Sequence, residues 1–353
     1  YSNLVVTELT ELEETSVARL VEGAFVTDLL APRDKALYAG WTNENGSYVV
    51  GGHGNVFLFK EGSYYQLPSV VDEPLYDLFG FPNGTLFAVG GHGVVVQYDG
   101  QSWTLLGAAT DRALKAIWGS DPDDLHAVGR HRIVSYYQGE WHEQKISQAL
   151  RDVWGNGPDN VWAVGEEGAL LRYDGVMWQP TPSPTTANLS AVHVFPNGTL
   201  LIAGDGEAWM REGTAWTDLE LKDNFRAHKM AVLSETEFYA TGAAGEVAHW
   251  TLEGGFSYLP APTNVQLNGL LPTADGVVLA LGTPALLLTP MIPFPVMLAP
   301  PDEGTMDALL LAWTYFGNAE PITLHNIGIT QKTGRSLWRL VVDGARTQIP
   351  LPD

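Results

Sequence analysis

The 353-residue chain contains no cysteine, so it can form no disulfide, no thiolate metal site and no cysteine nucleophile. This absence fits an exported bacterial protein at least as well as a cytosolic one. Basic residues are also few, since 19 Lys and Arg stand against 41 Asp and Glu and give a formal net charge of −22. A surface this acidic repels phosphate backbones and anionic lipid, so we expect neither nucleic acid nor a membrane as a partner.

Long apolar runs are missing as well, and the sequence therefore predicts no membrane-spanning helix. No Walker loop, zinc-protease helix, Rossmann fingerprint or Gly-x-Ser-x-Gly elbow occurs. The chain begins at Tyr1 without a basic and apolar leader, which we interpret as a mature or trimmed N-terminus. We accordingly expect an extracellular or cell-surface protein without cofactor or metal.

Glycine, in contrast, is abundant and regularly placed. Seven glycines each follow a short β-type run, at intervals of 36 to 40 residues: Gly51, Gly90, Gly129, Gly165, Gly204, Gly242 and Gly282. A near-constant period of this length indicates a repeated supersecondary unit.

The repeated unit is clearest in residues 150–178. Its four β-type runs begin at Leu150, Val161, Ala169 and Trp178, and Asn-Gly-Pro-Asp, Gly-Glu-Glu-Gly and Asp-Gly turns separate them. Four antiparallel strands in a period of this size are typical of a propeller blade. The sequence therefore predicts an all-β fold, with a seven-bladed β-propeller over residues 23–289.

The seventh copy, residues 267–289, has only three strand-like runs. Phe25 lies 12 residues before Leu37, much as Trp103 lies 11 residues before Leu114. We therefore predict that residues 24–29 supply the outer strand of blade seven, with Phe25 as a structural residue. Such closure would remove the free sheet edges that could otherwise pair with other chains.

Two hairpins resemble a known repeat. Residues 98–103 (Tyr-Asp-Gly-Gln-Ser-Trp) and 173–178 (Tyr-Asp-Gly-Val-Met-Trp) are similar to degenerate Asp-box hairpins of the BNR-repeat propellers. Sialidase-type propellers belong to that group, and photosystem-assembly-factor-like propellers are similar. The Trp-Gly…Pro-Asp-Asp…Ala-Val-Gly pattern also resembles repeats common in predicted exported proteins of soil and marine bacteria. In the Asp-box the Asp turns the hairpin and the Trp packs between blades. The resemblance thus implies structural roles for Trp103, Trp141, Trp178 and Trp216.

The two ends of the chain differ from the repeats. Five prolines mark a linker at residues 290–301, and residues 302–353 resemble a fibronectin type III or Ig-like β-sandwich. Such a sandwich has about seven strands, more than this segment offers. The module is therefore a fragment or a reduced sandwich, or the strand-like extension at residues 1–22 completes it in cis or in trans. Completion in trans would produce self-association by strand addition.

Histidine recurs two residues after the strand-closing glycine in three successive copies, as His53, His92 and His131, and Glu167 takes this place in the next. Three histidines and a carboxylate can bind zinc. Packed sheets lie about 10 Å apart, however, so equivalent turns on separate blades cannot all reach one ion at ~2.0–2.1 Å. We interpret these candidates as duplicated turn residues on the face where propellers usually bind ligands.

A basic cluster is the second candidate site. Lys115 and Arg151 follow the leading leucine of adjacent inner strands, and Arg130 and Arg132 are near in sequence. The cluster could bind an anionic group, such as a carboxylate of a glycan or peptide, or it could simply offset local negative charge. Sialidase chemistry requires an arginine triad, and we find no third arginine to accompany Arg151 and Arg172.

Short, regular loops favour a non-enzymatic protein, because propeller enzymes usually carry long insertions that build a pocket. We therefore expect an exported or cell-surface module for binding, adhesion or assembly, which uses the propeller face to bind a protein or a glycan. Two alternatives stay open. One is a hydrolase or lyase that acts on an acidic glycan at Lys115 and Arg151, and the other is a structural subunit of an extracellular fibre.

Overall fold

The computed structural model describes residues 14–21, 24–32, 36–60, 63–259, 266–272, 278–283 and 287–290, and four further strands between 310 and 350. The chain divides into two compact units, Thr15–Pro290 and a second that combines Tyr1–Glu14 with Met291–Asp353. Within the described residues no helix is long and apolar enough to span a membrane.

Strands account for most of the first unit. Two of them, β1 (Glu14–Val21) and β2 (Ala24–Pro32), precede the repeats. Two four-stranded antiparallel sheets follow, β3 (Leu37–Asn43), β4 (Gly46–Gly51), β5 (Val56–Lys60) and β6 (Ser63–Leu67), then β7 (Leu75–Gly80), β8 (Leu86–Gly90), β9 (Val94–Tyr98) and β10 (Trp103–Ala108).

A six-stranded sheet comes next, formed by β11 (Leu114–Asp121), β12 (Asp124–Tyr137), β13 (Glu140–Gly155), β14 (Val161–Gly165), β15 (Leu170–Tyr173) and β16 (Trp178–Pro180). Two more four-stranded sheets follow, β17 (Leu189–Val194), β18 (Leu200–Gly204), β19 (Ala208–Glu212) and β20 (Ala215–Asp218), then β21 (Lys229–Ser234), β22 (Glu237–Thr241), β23 (Val247–Thr251) and β24 (Gly255–Leu259). Short 3₁₀ turns lie at Gly52–Gly54, Gly91–Gly93, Glu166–Gly168 and Ala243–Gly245.

The last sheet of this unit joins the two ends of the repeat region. It contains β25 (Gln266–Pro272), β26 (Val278–Thr283) and β27 (Leu287–Pro290) together with the two N-terminal strands, in the order β2-β1-β27-β26-β25. The pairing of β1 with β27 is parallel. In the second unit, β28 (Leu310–Ala312) pairs with β31 (Gln348–Pro350), and β29 (His325–Thr330) pairs with β30 (Ser336–Val342).

The fold is an all-β propeller, but the prediction of seven blades is wrong. The structure has five, which are the four four-stranded antiparallel sheets and the six-stranded sheet. Two expected blades merge into the six-stranded sheet, because β13 pairs with β12 along its first half and with β14 along its second. Neither proline nor glycine occurs between residues 140 and 154 to interrupt this strand, whereas three prolines lie between residues 180 and 184. The expected seventh blade belongs to the five-stranded sheet with its parallel pair.

The N-terminal segment lies at the edge of that last sheet. β2, which contains residues 24–29, is its outermost strand, but β1 lies between β2 and β27. The sequence interpretation took residues 1–22 as strand-like but expected them to pair with the C-terminal module or another chain. It missed the pairing of β1 with β27 because that pairing is parallel and involves residues far apart in the chain. The side chain of Phe25, residues 1–13 and most of the 290–301 linker lie outside the described residues. The fibronectin-like module stays a prediction, because two separate strand pairs do not make a sandwich.

Close approach of the backbone explains the repeated glycine. Gly51, Gly90, Gly129, Gly165 and Gly204 each pair with the leading leucine of an inner strand, the first strand of each repeat. A Cβ atom at any of these five would lie 1.9 to 2.1 Å from the carbonyl oxygen of the residue before that leucine. No side chain fits in that space, so these five positions require glycine where the second strand ends against the inner strand.

The core fills the space between the sheets with aliphatic and aromatic side chains. Trp41 and Phe79 have ring centroids 4.8 Å apart, and Phe79 and Trp154 have centroids 5.9 Å apart. Glycines provide room for these rings, since a Cβ on Gly80 would lie 2.4 Å from the indole of Trp41. The inner strands are thereby fixed against one another around a common centre.

Candidate functional site

The inner strands surround a central cavity of about 300 Å³. Strands β3, β7, β11, β13, β17, β21 and β25 all contribute residues to its wall. Aromatic side chains form part of that wall, as Trp41, Phe79, Trp154 and His193 do. The rings of Trp154 and His193 lie with their centroids 5.0 Å apart. Burial lowers the pKa of His193 to about 4, so this imidazole is neutral at physiological pH.

Three charged side chains meet in this cavity, which we call the channel triad: Asp77, Asp152 and Lys229. Nζ of Lys229 lies 2.9 Å from Oδ1 of Asp152 and 3.8 Å from Oδ1 of Asp77. The three come from β7, β13 and β21, which belong to three different sheets. The triad therefore links separate sheets across the centre of the propeller.

Backbone groups of neighbouring strands complete the triad. The N–H of Ile117 donates to Oδ2 of Asp77 at 2.9 Å, and the N–H of Val192 donates to Oδ2 of Asp152 at 2.9 Å. Each donor lies on the inner strand that follows the one carrying the carboxylate. A buried backbone N–H without a hydrogen-bond partner destabilises the fold. The carboxylates of Asp77 and Asp152 provide these partners for Ile117 and Val192.

Burial determines the protonation of the triad. It raises the pKa of Asp77 to about 6, against the attraction of Lys229. Burial also opposes the charge of Lys229, but Asp152 and Asp77 together raise the pKa of this lysine above its ordinary value. The lysine is therefore charged, and the carboxyl group of Asp77 is largely ionised at neutral pH.

The sequence interpretation missed the triad, although a signal for it exists. The third position of the inner strand holds Ala39, Ala116, Ala191 and Gly269 in the other repeats, which are small residues. Asp77, Asp152 and Lys229 occupy the equivalent register positions, as their pairing with Val89, Val164 and Thr241 shows. At this position each repeat carries either a small residue or a charged one. This pattern indicates a narrow central space in which the charged side chains lie close together.

The recurring histidine position has a structural explanation. His53, His92 and Glu167 lie in the 3₁₀ turns with positive φ angles of 53°, 51° and 58°. The prediction of a turn is wrong for His131, which lies within β12 at a shift in the register with β13. In the copies with His53, His92 and Glu167, the turn ends with Gly54, Gly93 or Gly168, all with positive φ. Arg132 takes the place of this glycine after His131, and strand β12 continues through it.

These four residues do not form a metal site in the part of the chain that the structure describes, where no group of three or more His, Asp or Glu is arranged to hold an ion. His131 contacts the carbonyl oxygen of Ser147 through Nδ1 at 2.7 Å. The N–H of Glu167 donates to Oδ1 of Asn188 at 3.1 Å. Each of these contacts joins a turn or bulge to a neighbouring segment.

The basic candidates lie on neighbouring strands but contact different partners. Lys115, Arg130 and Arg151 lie on β11, β12 and β13, near the residue pairs Leu114–Gly129 and Arg130–Ala149. Nζ of Lys115 lies 3.5 Å from the centre of the Tyr76 ring, and Arg151 forms an ion pair of 3.2 Å with Glu166.

Arg132 forms an ion pair with Glu143, and Arg130 is exposed. These two arginines, Lys115 and Arg151 do not line the channel cavity. Among the described residues of its wall, Lys229 is the only lysine or arginine.

Of the four tryptophans with predicted structural roles, Trp103 and Trp178 are buried, with 8 % and 6 % of their surface exposed. Trp141 and Trp216 are half-buried at the edges of core clusters. The preceding aspartates turn their hairpins: Oδ1 of Asp99 accepts the N–H groups of Gln101 and Ser102, and Oδ1 of Asp174 accepts those of Val176 and Met177.

Comparison with known proteins shows the fold alone. No protein-family model matches the chain, and no curated protein matches it either. Among solved structures, "YCF48 bound to D1 peptide" is 12 % identical with a TM-score of 0.59, over 79 % of this chain and 95 % of that one. YCF48 from Cyanidioschyzon merolae is 13 % identical with a TM-score of 0.59, over 73 % of this chain and 96 % of that one. The WD40 repeats of RRP9 are 10 % identical with a TM-score of 0.59, over 79 % of this chain and 92 % of that one.

Proposed function

We propose that this propeller is a non-enzymatic module that binds another protein, in an assembly or adhesion role. The observation that supports it most is the internal pairing of the channel triad. A general acid or base must present its proton to a substrate. Lys229, Asp77 and Asp152 instead bind one another and two backbone N–H groups.

The similar solved structures add support by analogy. One of them is a propeller, YCF48, with a D1 peptide bound to it. Propellers serve many functions, so the likeness makes peptide binding a reasonable expectation for this chain without identifying the peptide. The hydrogen bonds of Asp99 and Asp174 likewise support the proposed kinship with Asp-box propellers. We place the module outside the cell or on its surface, as the resemblance to exported repeat proteins implies.

Binding and turnover measured on one sample of the full chain test this proposal. We expect saturable binding to one or more members of a peptide array and no product from a panel of acidic glycans. Product formation that is lost in a Lys115→Ala/Arg151→Ala variant would overturn the proposal in favour of the glycan enzyme. Fractionation of the source cells tests the location, and a purely cytosolic protein would contradict that part.

A further inference from the structure

A groove of about 920 Å³ lies beside the six-stranded sheet, away from the channel. Its walls are the hairpin between β12 and β13 and the turns at residues 156–160 and 174–177. Two aromatic pairs line it. The rings of Tyr137 and His142 stack with centroids 3.9 Å apart, and those of Tyr173 and Trp178 lie 5.5 Å apart. The groove thus offers aromatic side chains to a ligand.

Two apolar side chains at the groove are strongly exposed. Val176 is 79 % exposed and Met177 is 55 % exposed, at the tip of the turn that Asp174 organises. The equivalent turn after Asp99 has the same two hydrogen bonds but carries Gln101 and Ser102. Turn formation therefore does not require apolar residues here. An apolar pair beside a groove indicates a surface that another molecule covers.

Polar groups in the groove lack partners within the described residues. Nε2 of His142 and Nε1 of Trp178 are buried and form no hydrogen bond, and Trp178 is only 6 % exposed. A buried donor without a partner is unfavourable, so a ligand that accepts a hydrogen bond there is favoured. Nε1 of Trp103 is unpartnered too, but Trp103 is not among the residues that line the groove, which makes it a matched control.

The charge of the groove is negative. Asp124, Glu143 and Asp159 line it, and none of the lysines and arginines that the structure describes does. Arg132 pairs with Glu143. Arg172 donates to Oδ1 of Asn160 at 3.1 Å and to the backbone carbonyl oxygen of Asp159 at 3.5 Å, so within the described residues neither the Asp124 nor the Asp159 carboxylate forms an ion pair with a lysine or arginine. His126 lies under Trp178 with ring centroids 5.5 Å apart, and burial lowers the pKa of His126 to about 4, so it adds no positive charge.

Cationic side chains are attracted to aromatic faces and to carboxylates, and this groove combines both. Peptide carbonyl groups accept hydrogen bonds from donors such as Trp178. We propose that the groove binds a peptide segment of a partner protein that carries arginine or lysine next to apolar residues. This inference rests on the proposed protein-binding function, and it names the surface and the chemistry of the partner.

Two synthetic peptides test the proposal: an octapeptide of alternating leucine and arginine, and the same peptide with glutamate in place of arginine. Fluorine NMR of the full-length protein labelled with fluorotryptophan reports the contact, with resonances assigned through Trp178→Phe and Trp103→Phe. We expect the arginine peptide to shift the Trp178 resonance and leave that of Trp103 in place. The glutamate peptide should shift neither.

Variants separate the groove from the general acidity of the protein. A Val176→Gln/Met177→Ser variant carries polar residues like those of the Asp99 turn, and we expect its affinity for the arginine peptide to fall at least tenfold. Leu105→Gln/Leu106→Gln removes an exposed apolar pair outside the groove, with 48 % and 42 % exposure, and should not change the affinity. An equal loss in both variants, or no loss in either, would overturn the proposal.

Three further outcomes also count against it: no binding of the arginine peptide, a shift of Trp103 equal to that of Trp178, and a dimer that forms through Val176 and Met177. The last would make a second copy of this chain the occupant. If a peptide from the array binds the Val176→Gln/Met177→Ser variant as tightly as the natural protein, the groove proposal fails while the protein-binding function stands.

Discussion

At the scale of single residues, the channel triad is a group of charged side chains that are all largely buried. Lys229 is 21 % exposed, and its partners Asp77 and Asp152 are 15 % and 12 % exposed. Removing one member of a buried ion pair leaves an uncompensated charge, whereas removing an exposed charge has little effect.

We therefore expect Lys229→Met to lower the free energy of unfolding by about 3 kcal/mol at pH 8, because two carboxylates would remain buried without a cation. Urea unfolding checks this. Lys145→Met, at an exposed position on β13, is the control and should change stability by less than about 0.5 kcal/mol. Equal effects of the two substitutions would contradict a role for the triad in stability.

The pH dependence follows from Asp77. Its pKa is about 6 in the folded protein, because of burial, and about 3.9 in an unfolded chain. The folded state holds the proton more tightly, so this contribution to stability is complete below about pH 4 and is lost as the pH rises through about 6. The two-unit difference corresponds to about 3 kcal/mol.

Unfolding of the natural protein and of Asp77→Asn at pH 4 to 7 measures that contribution. The stability of the natural protein relative to the variant should decrease by about 2 kcal/mol across this range, because the remainder of the contribution lies below pH 4. Asp123→Asn, at an exposed site, serves as the control. A difference that stays constant or grows with pH would show that Asp77 is not the responsible group.

At the scale of the elements, the close approach between the second strand and the inner strand of the same repeat depends on glycine. Gly165→Ala would place a Cβ 2.1 Å from the carbonyl oxygen of Ala149, and backbone cannot move away as a side chain can. We expect Gly165→Ala to lower the free energy of unfolding by about 3 kcal/mol. In Gly157→Ala the nearest atom would be 3.6 Å away, so denaturant midpoints should separate the two variants clearly. Similar midpoints would refute the steric explanation.

Which elements the sequence could predict depends on whether local residues determine them. The Asp-Gly and Asn-Gly turns and the repeated glycines act locally, so the all-β repeat was predictable. The absence of proline and glycine after Trp141 also indicated that β13 joins two expected blades. The interpretation overlooked it because it assumed one separate blade for each 36- to 40-residue period. Lys229 was not recognised because its partners lie 77 and 152 residues before it in the chain.

At the scale of the whole molecule, the N-terminal strands stabilise the last repeat. β27 pairs with β1 through four residue pairs, and β2 covers the outer edge of that sheet. Deleting residues 1–32 should lower the Tm by several degrees and promote aggregation, because β27 would become an open edge. Calorimetry checks this.

Deletion of residues 302–353, which lie in the other compact unit, is the matched control and should leave the Tm of the propeller unchanged. If loss of the N-terminal strands has no more effect than this control, their pairing with β27 does not stabilise the propeller.

The 16-residue strand β13 has a consequence for how the molecule comes apart. Blades joined only by loops can open one at a time, as in other repeat arrays. Here β13 belongs to both parts of the six-stranded sheet, β11–β13 and β13–β16, so opening one part exposes the backbone hydrogen bonds of the other. Residues 114–180 should thus exchange their amide hydrogens as a single cooperative block, twice the size of any neighbour, and set the slowest step of denaturation.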